Sequence, residues 1–338
     1  MPHRHRVRDI ADQAGLSEAT VDRVLHERGG VSARATRAVH RAIAELDRQA
    51  GQLVLTGRTL VADLVMAAPQ RFTDVVRSAF EAEAAMLRPA LVRLRYDLDA
   101  AAGPEAIAKR LRRLAARGSD GVLLKAPDDP AVALAVDAVV AAGIPVLTLV
   151  TDLPTTGRHA YVGIDNVAAG ATAAYLLDLA AGREPVDALV PLSRAAFFGE
   201  GQRADGFEVE FTRLRPGARV VRVDGSDGQD EAMERVANQA LGDAGLGVVY
   251  SPGGANRGTL AAFDAAGRAI RGFVAHDLDD DNLTLLRAGR LTAVLHHDLR
   301  CDARRALRGL LQVQGLLPGR PVSLPSPVVV VTPHNVPA

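Results

Sequence analysis

Cysteine is almost missing from this chain, with Cys301 alone among 338 residues. One thiol excludes an internal disulfide and a cysteine-based tetrahedral zinc site. Lysine is nearly as scarce: Lys109 and Lys125 stand alone among 40 basic residues, and we give the arginine and alanine richness no functional weight. No apolar run approaches the ~18 residues that a spanning helix needs, so no membrane partner is expected. The opening MPHRHRVRDIADQAG is basic but lacks the apolar stretch of a secretory leader, which predicts a cytoplasmic protein. The formal net charge is zero. That excludes a uniformly basic nucleic-acid coat but allows a small basic module on a neutral body. What remains is ordinary globular composition, 48% hydrophobic and 24% charged, in a chain long enough for two or more units.

Residues 1–48 carry a helical rhythm. Ile10, Ala11 and Ala14 share one face of a first helix, which Gly15 ends because glycine tolerates the left-handed turn. Ser17 is a good N-cap for a second helix built on Thr20, Val21, Val24 and Leu25, which Gly29-Gly30 stops. Ser32 caps a third, whose apolar positions Ala35, Val39, Ala42, Ile43 and Leu46 step by three and four. Three short helices with a tight glycine turn describe a helix-turn-helix. Its second helix presents Glu18, Ala19, Asp22 and Arg23 outward. Arg23 reaches a guanine edge or a phosphate, and Ser17 and Thr20 reach phosphates. Spacing alone leaves a purely structural three-helix cap open.

Residues 49–60 form a short joint with Gly51 and Gly57. From residue 61 the rhythm changes. Apolar runs such as LVADLVMAA, GVLLKAP, IPVLTLV and GFVAHD alternate with helical stretches, including 74–87, 104–117, 130–142, 167–181 and 299–315. That alternation predicts parallel sheet with crossover helices. Nine or ten strands fit two doubly wound subdomains better than one wide sheet.

Polar residues cluster at the predicted strand ends, where open α/β sheets bind ligands. These are Gln70 to Thr73, Lys125, Thr151-Asp152, Asp165-Asn166, Arg203, Asn256, Asp277 and His297. Asp165 and Asp277 read equally well as plain helix caps. Gly199-Glu200-Gly201 and Gly253-Gly254 look like phosphate loops without the full pattern of either nucleotide-binding motif. The run Asp279-Asp280-Asp281 reads as a solvated helix start rather than a metal site. No catalytic constellation, cofactor motif or G-x-S-x-G elbow is legible.

The stretch 7–46 strongly resembles the DNA-binding domain of the LacI/GalR family of transcriptional regulators. The residues that carry the resemblance are D-I-A-D-Q-A-G-L-S at 9–17, T-V-D-R-V-L at 20–25, V-S-A-R-A-T-R at 31–37 and A-I-A-E-L at 42–46. The body resembles a type I periplasmic-binding-protein fold, with Y-V-G-I-D-N-V-A-A-G at 161–170 as its typical segment. The resemblance implies that Glu18, Ala19 and Arg23 read bases, while Ser17, Thr20, Ser32 and Arg37 contact the backbone. It also implies effector contacts from Phe72, Thr73, Lys125, Asp152, Asp165, Arg203, Asn256, Asp277 and His297. Among these, Asp277 matches an aspartate that takes sugar hydroxyls and Phe72 an aromatic wall. Three features depart from the family. Asp22 replaces a small hydroxyl residue, His26 stands where asparagine is common, and the joint is short, without the usual proline and asparagine. Leu53 or Leu55 is then the candidate minor-groove wedge. Glycines at 51 and 57, each costing ~1 kcal/mol in a helix, predict poor helix formation there.

The expected architecture is a small all-α helix-turn-helix domain (1–48), a hinge (49–60) and an α/β effector domain (61–338). Its subdomains are 61–164 with 298–324 and 165–297 with 325–338. The expected function is a ligand-responsive regulator, a repressor of sugar or polyol genes, acting as a homodimer or higher oligomer on near-palindromic operator DNA. No cofactor, metal or catalysis is expected. A transporter's solute-binding protein fits the body but leaves the first 48 residues unexplained. A sugar-handling enzyme lacks a catalytic constellation.

Overall fold

The computed structural model describes residues 5–55, 59–87, 91–193, 197–242, 245–323 and 325–336, without the side chains of 48–55 and 71. The chain opens with helices α1 (Val7–Ala14), α2 (Glu18–Leu25) and α3 (Ala33–Leu55). Gly15, at φ 65°, ends α1 in the left-handed conformation. Ser17 Oγ caps α2 by accepting the Thr20 N–H at 3.3 Å, and Ser32 Oγ accepts the Ala35 N–H at 3.2 Å. Ile10, Ala11, Val21, Val39 and Ala42 form one small buried cluster. Burying Ile10 and Val21 stabilises the unit by roughly 1.5–3 kcal/mol each.

The joint differs from the sequence expectation. The third helix does not stop near Leu46; its backbone continues to Leu55, so residue 48 falls inside a helix. Propagating an existing helix needs no new nucleus, and Ala50, Gln52 and Leu53 are good helix formers. The cost of Gly51 is absorbed within that run. The side chains of Leu53 and Leu55 lie outside the described residues.

The body contains two sheets. In the first, β1 (Thr59–Met66), β2 (Leu91–Leu98), β3 (Gly121–Lys125), β4 (Val146–Leu149) and β5 (Ala160–Val162) run in the order β2-β1-β3-β4-β5, all parallel. Helices α4 (Gln70–Ala85), α5 (Pro104–Arg117) and α6 (Pro130–Ala141) connect them. The second unit opens with α7 (Asn166–Ala181). Its sheet runs β11-β10-β9-β8-β6-β7, from β6 (Asp187–Pro191), β7 (Val220–Val223), β8 (Leu246–Ser251), β9 (Gly272–His276), β10 (Ala293–His296) and β11 (Val329–Val331). Among the described residues, only the β10–β11 pair is antiparallel. The intervening helices are α8 (Phe198–Leu214), α9 (Asp230–Ala240), α10 (Asn256–Ala265) and α11 (Asp280–Arg287). Helix α12 (Leu299–Val313) packs back against α4 and the first sheet.

The chain therefore passes between the sheets three times: from β5 to α7, from β10 to α12, and from α12 to β11. The first and third passages touch through an isolated bridge between Ile164 and Ser326. Each sheet buries both faces, so its central strands are continuous apolar runs; every residue of β3, β8 and β9 is buried. Helix α8 escaped the sequence reading because Gly199, Gly201 and Gly206 look like loop residues. Its glycine has a packing reason. A Cβ on Gly206 would sit 2.2 Å from the Val167 carbonyl oxygen, and one on Gly170 would sit 2.0 Å from that of Arg203. Glycine lets α7 and α8 touch backbone to backbone. The short edge strands β5 and β11, three residues each, were also missing from the predicted runs.

Candidate functional site

Two surfaces carry polar chemistry. The first is α2. Glu18, Ala19 and Arg23 are exposed along it, Ser17 precedes it, and Thr20 is half-buried with its hydroxyl 2.9 Å from that of Ser17. Ser32 and Arg37 are exposed at and beyond the start of α3. The two departures from the family pattern pair with each other. Asp22 accepts from Nη1 of Arg28 at 3.0 Å and lies 3.1 Å from Nδ1 of His26, one turn on. Asp22 is thus occupied within the helix and its following turn. The remaining outward groups form a compact face of a carboxylate, a methyl and a guanidinium, a chemistry suited to base edges.

The second is a cavity between the two sheets, at the C-terminal ends of their strands, with about 60 Å³ open to water-sized molecules. Lys125 comes from the end of β3, Val150 and Thr151 from beyond β4, and Phe72 from the first turn of α4. The other sheet supplies Ser193 after β6, Asp227 after β7, Pro252 to Gly254 after β8, and His276 and Asp277 from the end of β9. Glu200 and Arg203 project from the first two turns of α8. Among the described residues, five non-glycine positions have positive φ, and three of them line the cavity: Val150 at 65°, Asp227 at 51° and Asp277 at 65°. A β-branched residue there is a genuine backbone outlier, and such strain, roughly 1–3 kcal/mol each, gathers at ligand sites.

Arg203 is the centre of the polar network and is buried. Its Nε donates to Asn166 Oδ1 at 2.8 Å, Nη1 to the Pro252 carbonyl at 2.9 Å, and Nη2 to His297 Nε2 at 3.0 Å. A guanidinium only donates, so His297 Nε2 accepts and its ring proton sits on Nδ1. Asp277 Oδ1 lies 3.5 Å from that same nitrogen, buried and without a hydrogen-bond partner. His276, beside it, shares a 2.7 Å hydrogen bond with the Tyr250 hydroxyl and leaves Nδ1 unpartnered. Burial, reinforced by the Arg203 charge, holds the His276 imidazole well below its usual range. Lys125 Nζ donates to the Ala67 carbonyl at 3.2 Å and lies 3.9 Å from the centre of the Phe197 ring.

Of the residues expected at the effector site, Phe72, Lys125, Arg203 and Asp277 line the cavity. His297 stands one step behind, fully buried and reached through Arg203. The remaining four lie elsewhere. Asp152 accepts from Thr148 and from Nε and Nη2 of Arg158. Asp165 caps α7 through the Ala168 N–H at 3.0 Å, and Thr73 bonds the Gln70 carbonyl within its own turn. Asn256 donates to Asn282 Oδ1 at 2.6 Å, and Asn282 in turn holds the carbonyls of His276 and Asp277. Asn256 therefore positions the Asp277 corner from behind. Sequence reasoning missed Glu200, Ser193, Asp227, Phe197 and His276 as cavity residues. Glu200 stood out only within Gly199-Glu200-Gly201, a stretch set aside because it lacks the full phosphate-loop pattern. Among the described residues, no cluster of ligating side chains suits a metal ion, and no helix is long and apolar enough to cross a membrane.

Comparisons with known proteins agree with this geometry. A model of bacterial regulatory proteins, lacI family, matches residues 6–48, and a periplasmic binding protein domain matches residues 64–313. No curated protein matches the chain. Among solved structures, a glucose-galactose binding protein, GanP, from Geobacillus stearothermophilus shares 20% identity at a TM-score of 0.74, covering 83% of this chain and all of that one (100%). A solute-binding protein of an ABC transporter from Burkholderia graminis, in complex with D-arabinose, shares 22% at 0.72, covering 83% and 97%. A carbohydrate transporter protein from Acidothermus cellulolyticus, in complex with myo-inositol, shares 20% at 0.70, covering 82% and 96%. These likenesses establish the fold of residues beyond the helical domain.

Proposed function

We propose a specific working mode for a chain that belongs to the lacI family of bacterial regulatory proteins and to the periplasmic binding protein family, and that is a ligand-responsive DNA-binding regulator. Its effector is a sugar or polyol, bound in the cavity between the subdomains. Phe72 and Phe197 supply apolar faces, and Asp277, Arg203 and Lys125 supply acceptors and donors. A polyhydroxy compound needs both, because each hydroxyl donates and accepts. Catalysis has no part in this reading; the cavity binds and releases. In the cytoplasm the protein acts as a homodimer on a near-palindromic operator, since a twofold dimer presents two recognition helices to two half-sites. There it represses uptake or catabolic genes. Arg23, Glu18 and Ala19 read bases, and Ser17, Thr20, Ser32 and Arg37 hold the backbone.

Coupling is thermodynamic. An effector that favours one orientation of the subdomains changes the spacing of the two recognition helices. Operator affinity then changes by ~1–3 kcal/mol, or about 5–150-fold. The observation that carries the reading is the Asp277 carboxylate, with an unpartnered buried oxygen, in an aromatic-walled cavity facing both sheets. The test is a thermal-shift screen over sugars and polyols, followed by operator-binding titrations with any compound that stabilises the protein. A stabilising compound that leaves operator affinity unchanged defeats the coupling.

A further inference from the structure

Helix α12 carries two arginine faces of different fate. Toward α4, Arg300 and Arg304 share the Glu83 carboxylate. One step around the helix, Arg305, Arg308 and Gln312 recur at spacings of three and four and so lie along a single face. That face borders a groove of about 240 Å³ open to water-sized molecules, which Arg320 joins from the segment after the helix. Leu147 and Val162, buried on the first sheet, and Pro321 supply its apolar wall. We propose that this groove is a second ligand site, separate from the cavity between the sheets, and that it takes a small organic phosphate. The proposal stands independently of the sugar-or-polyol reading of that cavity.

Three observations carry the inference. First, the charge is of one sign. Three guanidiniums and a carboxamide are the polar side chains of the groove, and among the described residues no carboxylate lines it. Beyond the described residues the chain has a single acidic side chain, Asp243, which follows α9 on the way to β8 of the other sheet. Second, the cations are held in place without being neutralised. Arg308 and Arg320 are exposed and have no acceptor among the described residues. Gln312 donates to the Pro318 carbonyl at 3.1 Å and so fixes the turn that carries Arg320. Arg305 makes one hydrogen bond, from Nη1 to the Ser326 hydroxyl at 2.5 Å, a neutral acceptor. Third, the chemistry suits a phosphate better than a carboxylate. A guanidinium is a planar fork that grips two oxygens of one anion. A phosphate monoester offers three terminal oxygens and roughly −1.5 to −2 charges. Three forks exceed what the two oxygens of one carboxylate can use. The apolar wall suits the carbon skeleton of an organic phosphate, which a bare inorganic anion lacks.

The groove also reaches the polar network of the other cavity. Ser326 donates onward to Asp302 Oδ1 at 2.6 Å, and Asp302 stands 3.4 Å from His297 Nδ1. His297 in turn accepts from Arg203. An anion that engages Arg305 competes with Ser326 at the near end of that chain. Occupancy of the groove thereby biases the same connections between the sheets as the effector does.

The experiment titrates the full chain by calorimetry, at fixed ionic strength because salt screens exposed charges. The probes are glycerol phosphate, a hexose monophosphate, a hexose bisphosphate, inorganic phosphate and citrate. The expected result is an organic phosphate that binds about tenfold or more tightly than inorganic phosphate and citrate. The double variant Arg308→Gln/Arg320→Gln should lose that binding by about tenfold or more. Both side chains are exposed, so the variant should melt with the wild type. Arg113→Gln removes an exposed cation from α5, away from the groove, and should leave the affinity unchanged. Binding by none of the phosphates overturns the proposal. So does phosphate binding that survives the double variant and is lost in Asp277→Ala, because the ligand then sits in the other cavity. Citrate as tight as the organic phosphates overturns the ligand class. Operator titrations with and without the bound phosphate test the coupling, with a change of about fivefold or more expected. Ser326→Ala keeps all three arginines, so it should keep phosphate binding and lose that change. An operator affinity that phosphate leaves unaltered in the wild type defeats the coupling through Arg305.

Discussion

The guanidinium of Arg203 donates to Nε2 of His297 across 3.0 Å, with both side chains buried. That one contact ties the cavity wall to the second passage between the sheets, because His297 lies between β10 and α12. The other nitrogens of Arg203 extend the link. Nε bonds Asn166, immediately after the first passage. Beyond His297, Asp302 stands 3.4 Å from Nδ1 and accepts from the Ser326 hydroxyl, on the third passage, at 2.6 Å. A side chain in contact with the cavity thus reaches all three connections about which the subdomains would turn.

Removing the acceptor at the centre of this network should be costly. His297→Leu leaves one buried guanidinium nitrogen unpaired, at a penalty of about 1–3 kcal/mol. The expected outcome is a lower melting temperature and a smaller effector-dependent change in operator affinity, with effector-free DNA binding nearly intact. His297→Gln restores an acceptor and should recover most of both. Equal melting of wild type and His297→Leu would show that the link carries no stability.

Arg23→Ala should lose about 1–3 kcal/mol of specific operator affinity, the value of a bidentate base contact. Asp22→Asn should act in the opposite direction. Its ion pair with Arg28 is half-exposed and so contributes little to stability. Removing the carboxylate frees Arg28 and takes a negative charge away from the phosphates. Anisotropy titrations at several salt concentrations separate the two effects. The Asp22→Asn variant should bind all sequences more tightly, with a steeper salt dependence.

Stability should respond to acid through Glu83. This buried carboxylate on α4 accepts from Arg304 Nε at 2.8 Å and Arg300 Nε at 3.0 Å, both on α12. The Arg304 hydrogen bond is the main force holding its carboxyl below the ordinary value of 4.5. A group whose folded pKa is depressed stabilises the fold above its unfolded value. That contribution disappears as pH falls through the folded value. The melting-temperature gap between wild type and Glu83→Gln should therefore be constant from neutral pH to about 5 and shrink below the ordinary carboxylate range. A gap that widens in acid contradicts this sign.

Gly170→Ala should be among the most damaging single-methyl changes. Its new Cβ would fall 2.0 Å from the Arg203 carbonyl and 2.6 Å from the Phe207 nitrogen, both rigid backbone. Overpacking of this kind costs ~1–3 kcal/mol or more. Because the displaced residue is Arg203 itself, effector affinity should fall along with the melting temperature. Unaltered calorimetric affinity in a destabilised Gly170→Ala protein would separate the helix contact from the cavity.

The difference between what was legible and what was not has physical causes. Ser17, Gly15 and the Ile10–Val21–Val39 core were readable because caps and helical periodicity are local. Lys125, Arg203 and Asp277 were readable as strand-end polar residues and through resemblance. Asp152 and Asp165 have the same sequence character, yet their partners, Arg158 and the Ala168 N–H, satisfy them locally. Polarity at a strand end does not say which way a side chain faces. Helix α8 was hidden because glycine signals a loop locally, whereas here its reason lies in α7, across a contact that periodicity cannot see. The edge strands β5 and β11 are too short to show alternation.

The joint gives the sharpest test of how the two domains communicate. Leu46 packs against the core of the three-helix unit, and the backbone of helix α3 continues through Leu55. Nine further residues span roughly 13 Å at 1.5 Å per residue. A continuous helix of that length transmits orientation, whereas a coil absorbs it. If the joint is helical in the working dimer, the two recognition helices sit at a fixed separation. Inserting one base pair between the half-sites of an operator selected from a randomised pool should then cost more than tenfold in affinity, which is ~1.4 kcal/mol. Gly51→Pro breaks the helix within the joint, since proline removes a hydrogen bond and clashes with the preceding turn. That variant should bind the unaltered operator more weakly and tolerate the inserted base pair better. Gly51→Ala favours the helix by about 1 kcal/mol and should do the reverse. If wild type tolerates the insertion as well as Gly51→Pro does, the joint works as a flexible tether, and the helix seen through Leu55 has no part in setting the spacing.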